Sequence, residues 1–265
     1  VNPTLIEDPS RRAGPARPEV LLFDAAGPQK DYETIVPKWQ NSPPFSEHSY
    51  RSFAADRESG QQVLFQNIGY AHAEWTFRDA TGRWAAQGRL AWPWGAEYDK
   101  PQPIRICYPN VLLKNRAVHF CGVSDVIEPY NEWRAYKKQL TGRDWDYDFR
   151  RLFYTWTPDI TKTDFHDWIE IASRDKTCGW IIPADLWVDQ QGVAHILWAE
   201  RATDLRLRDK FFPGVKQTVS LDYAVLRDGE VTSRRSLLLA GEDLPNEIPG
   251  RARFQITPDH RLFVV

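Results

Sequence analysis

The sequence predicts an all-β chain folded as a β-propeller of four-stranded blades, and three observations carry that expectation. An apolar run, a polar turn and a second apolar run recur four times, as SFAADRESGQQVLFQ (52–66), NVLLKNRAVHFCG (110–122), DLWVDQQGVAHILWA (185–199) and ARFQITPDHRLFVV (252–265). Two β-rich runs flanking a short loop with Asp, Asn or Gly read as a β-hairpin. The turns centre near Asp56–Gly60, Asn115, Asp189–Gly192 and Asp259, a period of about 60 to 75 residues that marks an array of supersecondary units. The first three hairpins are each followed by two further strand-like runs, so the repeating unit is a four-stranded sheet. Radial repetition of such sheets leaves only short, protected edges, whereas a Greek-key sandwich gives no reason for four comparable hairpins.

Taken in order, residues 1–17 are rich in Pro, Arg and Asp and read as an N-terminal loop or linker, with the blades in 18–265. PEVLLFDAAG (18–27) and ETIVPKW (33–39) are two short strands. The first full unit has strands at 50–56, 62–67, 72–78 and 82–92. In TFRDATGRW (76–84), Thr76, Asp79, Gly82 and Trp84 resemble a loose Asp-box, the turn of sialidase-like blades; the same residues also make a plain tight turn whose Gly accepts a positive φ. The second unit has strands at 108–113, 117–122, 149–156 and 167–172, with an insertion at 126–148 in which NEWRAYKKQL predicts one or two helical turns. Asp146, Asp148, Arg150 and Arg151, in RDWDYDFRR, read as solvated loop charge. The third unit runs from Trp180 to Leu239 and closes in a hairpin turning at Asp228–Gly229. The fourth starts near Arg251 and stops after its second strand. Either strands 18–39 complete that blade, or the chain is a piece of a longer propeller; the absence of Met favours a fragment or processed form.

Composition narrows the function. A net charge of −2 and a pI near 6.3 leave no basic footprint for nucleic acid. No apolar run reaches the roughly 18 residues of a membrane-spanning helix. Cys107, Cys121 and Cys178 have neither metal-ligand nor C-x-x-C spacing and read as buried apolar residues, so no metal and no cofactor is expected. Twelve Trp, ten Tyr and thirteen Phe make an aromatic-rich chain; filling β-cores accounts for most of them, and the alternative is that several stack on sugar rings.

In a hairpin, the start of the first strand and the end of the second lie at one end. Around a ring those ends converge, which gathers His48, Tyr50, Arg51, Tyr70 and His72 from the first unit. Arg105, Tyr108, Ser124, Asp125 and Glu128 follow from the second, and Trp180, Asp185, Glu200 and Arg201 from the third. The opposite turns hold nothing comparable. Each residue also has a structural reading: the histidines bonded to backbone, the arginines paired with neighbouring carboxylates, Tyr108 packing before Pro109.

The segments HSYRSFAADRESGQQVLFQ with YAHAEWTF, RICYPNVLLKNRAVHF and DLWVDQQGVAHILWAER resemble the BNR-type propellers. That group includes sialidase-like glycosidases and the propeller-fold lyases that cut uronate-containing polysaccharides. The resemblance implies a secreted or periplasmic, carbohydrate-active protein whose partner is a polysaccharide or oligosaccharide. It places His48, His72 and Tyr108 in the catalytic positions of the lyase branch, while that branch's arginine is replaced by CGVSD (121–125). For β-elimination a cation must neutralise the uronate carboxylate, a role for Arg51 or Arg105, while His or Tyr moves the protons. Tyr70, Asp125, Glu128, Glu200 and Arg201 complete the expected substrate-binding set. Glycoside hydrolysis instead requires two carboxylates, from Asp125, Glu128, Asp185 and Glu200, with Arg105, Arg201 and Arg253 as an acidic-sugar clamp. The non-enzymatic alternative is a glycan-binding or scaffold propeller.

Overall fold

The computed structural model describes residues 18–27, 31–41, 43, 45 and 51–265. They fall into two compact units, Val1–Ala91 and Trp92–Val265. In the first unit, β1 (Val20–Phe23) and β2 (Tyr32–Ile35) form a two-stranded sheet among the described residues. β3 (Arg51–Ala55), β4 (Gln62–Ile68), β5 (His72–Arg78) and β6 (Trp84–Ala91) form an antiparallel meander in chain order. The two middle strands are buried on both faces, through Val63, Phe65, Ala73 and Phe77 on one and Leu64, Gln66, Glu74 and Thr76 on the other. Trp75 lies flat against Gly88, where an added Cβ would sit 2.5 Å from the indole. The turn sequence predicted at 76–84 is present: Asp79 Oδ1 accepts from the backbone N–H of Thr81 and Arg83, and Gly82 has φ +82°.

The second unit opens with a short ribbon of β7 (Trp94–Gly95) and β8 (Gln102–Pro103). Its first blade contains β9 (Ile106–Lys114) and β10 (Ala117–Ser124), then an excursion through β11 (Val126–Ile127), α1 (Asn131–Thr141) and β12 (Tyr147–Asp148). β13 (Arg151–Thr157) and β14 (Ile169–Ser173) complete it. The next blade is β15 (Trp180–Val188), β16 (Ala194–Arg201), β17 (Thr218–Arg227) and β18 (Glu230–Gly241), with α2 (Leu205–Phe211) between its second and third strands. β19 (Phe254–Ile256) and β20 (Leu262–Val264) form a closing hairpin.

The sheet orders β9-β10-β13-β14 and β15-β16-β17-β18, together with the meander of the first unit, make this a propeller of four-stranded blades. Within the second unit the first strands of successive sheets meet: β9 contacts β15, and β15 contacts β19. Sheet-on-sheet packing explains the burial pattern. β10 and β16 are covered on both faces, while the outermost strand β18 is exposed along most of its length. Ala184, Leu197, Leu221, Ala252 and Phe254 form the core between the third blade and the closing hairpin.

Two sequence expectations are corrected here. α1 has 11 residues, about three turns rather than one or two. It ends at Gly142, whose φ of +70° lets its N–H bond Lys138 O. Asp148 and Arg150 are not solvated loop charge: they are 2% and 1% exposed. α1 packs against this charge: Lys137 Nζ lies 2.7 Å from Glu128 Oε2, and the Arg150 guanidinium lies over the Trp133 ring.

Candidate functional site

Matching irregularities in the two innermost strands build a cleft. In β9, Asn110 faces Cys121 and Cys107 faces Val123, so Tyr108 and Pro109 together oppose the single Gly122. In β15, Pro183 faces Trp198 and Asp185 faces Leu197, leaving Ala184 as the extra residue. These are β-bulges, which bend a strand and re-aim side chains, and each contains a proline that has no N–H to give a ladder. Gly122 is required at the first: an added Cβ would lie 2.5 Å from Ile106 Cγ2 and 2.9 Å from Cys107 O. Tyr108 is held at φ +47°, an uncommon conformation for a residue with a side chain. The outcome is a Tyr108 that is 52% exposed directly after the fully buried Ile106 and Cys107.

The cleft has a volume of about 500 Å³ and is lined by Tyr108, Pro109, Phe149, Trp180, Pro183, Ala184, Arg251 and Arg253. The rings of Tyr108 and Phe149 lie 5.7 Å apart, and Trp180 is 37% exposed. Asp185 braces the β15 bulge rather than facing a ligand. Its Oδ2 accepts from Phe254 N at 2.9 Å and its Oδ1 from Leu186 N at 2.9 Å, while Arg253 donates to Ala184 O. A second cavity of about 280 Å³ shares Phe149 and Trp180 with the first and is charged, with Asp148, Arg201, Asp204 and Arg206 on its walls. Arg201 lies over the Trp180 ring at 5.7 Å.

Behind these cavities is a buried ionic cluster. Arg150 forms a forked pair with Glu128, at 3.0 and 3.3 Å, and its Nε reaches Asp148 at 2.7 Å and Asp175 at 3.2 Å. Its guanidinium also lies over the rings of Tyr130 and Trp133. Burial pushes the Asp148 carboxyl up to about 7 although Arg150 opposes the shift. Burial likewise raises Asp175. Asp204 goes the other way: burial opposes it, but Arg206 bonds both carboxylate oxygens and holds its pKa below the ordinary value.

The residues expected from sequence are distributed as follows. His48 and Tyr50 lie outside the described residues. Arg51 opens β3 opposite Gln66. Tyr70 is exposed in the turn between β4 and β5, and His72 Nε2 lies 3.2 Å from Glu74 Oε1, all in the first unit. In the second unit Tyr108, Trp180, Arg201 and Arg253 share the cleft region. Arg105 is in an ion pair with Asp125 at 2.6 Å. Glu128 is occupied by Arg150 and Lys137. Glu200, 2% exposed, sits between Arg174 at 3.0 Å and Arg234 at 3.1 Å. Sequence reasoning passed over Phe149 and Arg251 and read Asp148 as solvated loop charge. The prolines at 109 and 183 were the available signal, since proline within a central strand implies a bulge.

No family model matches the chain, and no curated protein does. Among solved structures, the chain is similar to a Penicillium chrysogenum α-L-arabinanase complexed with arabinobiose, with a TM-score of 0.50 and 8% identity. The alignment covers 93% of this chain and 66% of that one, so the chain spans slightly less than two thirds of the arabinanase. An ACO/RPE65 chimera aligns at TM-score 0.41 and 10% identity over 72% of this chain and 40% of its own. A post-proline cleaving enzyme from Rickettsia typhi aligns at TM-score 0.36 and 8% identity over 94% and 32%. The first of these likenesses shows the fold, a β-propeller, and only the fold.

Proposed function

We propose that the protein binds an acidic oligosaccharide in the cleft between β9 and β15. One observation carries this reading: two bulged strands present exposed aromatic rings, Tyr108 and Trp180, beside Arg201 and Arg251. Neither arginine has a carboxylate partner among the described residues. Flat rings suit the C–H face of a pyranose, and a guanidinium binds a carboxylate with two parallel hydrogen bonds. An arabinanase of the same fold holds arabinobiose, which supports an oligosaccharide ligand. A polysaccharide ligand also fits an extracellular setting.

The carboxylates first considered for catalysis, Asp125, Glu128, Asp185 and Glu200, are committed to ion pairs or backbone braces, which favours binding over hydrolysis by those groups. A second reading rests on Asp148 and Asp204, which are ion-paired too, with Arg150 and Arg206, but differ from those four in position. Both line the charged cavity, and their surroundings drive their pKa values apart, which is how an acid and a base are told from each other. In hydrolysis Asp148 would protonate the leaving glycosidic oxygen, and the Asp204 carboxylate would take a proton from the attacking water.

The test is titration with uronate oligosaccharides and with neutral arabinan fragments, alongside assays for new reducing ends and for the ultraviolet absorbance of an unsaturated product. The expected result is binding of the uronates that weakens about tenfold in Trp180→Ala, equivalent to ~1.4 kcal/mol. Reducing ends that vanish in Asp148→Asn would establish the hydrolase reading, and unsaturated product would establish elimination. Unchanged affinity in Trp180→Ala would remove the cleft from consideration.

A further inference from the structure

The opposite end of the same blades also carries a pocket. A cavity of about 320 Å³ lies between the β15–β16 turn and the turn of the closing hairpin, lined by Trp187, Asp189, Gln190, Gln191, His195 and His260. That volume falls at the lower end of small-molecule sites.

Its floor is a layer of rings. Trp187 and His195 lie 4.8 Å apart, His195 and Tyr223 5.9 Å. His195 Nδ1 is 2.6 Å from the Tyr223 hydroxyl, and burial lowers the pKa of its imidazole despite the Asp189 carboxylate, so the ring is neutral near pH 7. The preceding blade repeats the pair as His119 Nδ1 with the Tyr154 hydroxyl, at 2.7 Å, but there the histidine is only 5% exposed. Only the later copy opens on the cavity.

Apart from Leu262, the walls are polar and preset. Asp189 Oδ1 is used inside its own turn, accepting from Gln191 N at 2.8 Å and Val193 N at 2.9 Å. Its Oδ2 is left outside that turn, 3.7 Å from His195 Nε2, a nitrogen that makes no hydrogen bond of its own. Gln190 Nε2 donates to His260 Nε2 at 2.8 Å, which joins the two turns. Among the described residues no Lys or Arg lines the cavity. An aromatic floor with amide, imidazole and carboxylate walls matches a small ring carrying several hydroxyl groups, and the unbalanced Asp189 disfavours an anion.

We propose that this turn-end pocket is a second sugar site, specific for a single neutral pyranose. The test uses methyl glycosides of glucose, galactose, mannose and xylose, with glucuronate as the anionic control. Binding is read from the His195 ring resonances, which report this pocket and not the cleft. At least one neutral glycoside should give a saturable shift at millimolar concentration, with glucuronate at least about tenfold weaker. Gln190→Ala and Trp187→Phe should each weaken that binding about fivefold or more, a loss of ~1 kcal/mol. Trp180→Ala, at the other end, should leave it unchanged, which separates failure here from failure of the cleft. No saturable shift with any neutral glycoside, or equal binding of glucuronate, would overturn the proposal. So would Gln190→Ala and Trp187→Phe both binding as the parent does.

Discussion

The two ends of the second unit use the same residue types for different purposes. At the strand-start end, Arg150 is buried among Glu128, Asp148 and Asp175, and the exposed chemistry consists of rings and arginines. At the turn end, carboxylates shape tight turns. Asp159, for example, accepts from Thr161 N at 3.0 Å and meets Arg116 at the surface, also at 3.0 Å. An Arg–Asp contact is therefore part of the frame at one end and a surface detail at the other. The difference is solvent, since burial removes the screening that makes exposed pairs weak.

Substitutions can break or sharpen that contrast. The largest effect is expected for Arg150→Met, which removes the partner that Glu128, Asp148 and Asp175 share and should cost about 3–5 kcal/mol in urea denaturation. A loss below ~1 kcal/mol would mean that the cluster is hydrated and not structural.

The same cluster sets a pH dependence. Because the Asp148 pKa is raised from 3.8 to about 7, the folded chain holds a proton that the unfolded chain releases across that window. This contribution to stability is fully present below about pH 4 and is lost as pH rises through about 7. Asp148→Asn should flatten the fall in denaturation midpoint over that range, and an unaltered slope would contradict the assignment. The smallest effect is expected for Arg116→Ala. Its partner pair is half-exposed, 48% on the arginine side, so the loss should stay below about 1 kcal/mol.

How far these features were legible in the sequence follows from their range. The turns at Asp56, Asn115, Asp189 and Asp259 could be read because turn chemistry is local: Asp189 bonds residues two and four positions on. The blade order followed from repetition. The charged cluster could not be read, because Glu128 meets Arg150 across 22 positions and Cys178 and Asp175 come from farther still. Arg150 and its neighbour Arg151 look alike in sequence; the register of β13 turns one inward and leaves the other with Glu97 and Glu170. The same holds for the carboxylates chosen as hydrolytic candidates, whose partners Arg105, Arg174 and Arg234 come from other strands or turns. Tyr108 was found for its place before Pro109, but its exposure depends on the bulge opposite Gly122, a tertiary feature.

The most direct measurement is a crystal structure of the protein soaked with a short uronate oligosaccharide. The account predicts a sugar ring stacked on Trp180 or Tyr108, with its carboxylate within hydrogen-bond distance of Arg201 or Arg251. Density for the oligosaccharide elsewhere on the molecule, with the cleft between β9 and β15 empty, would contradict it.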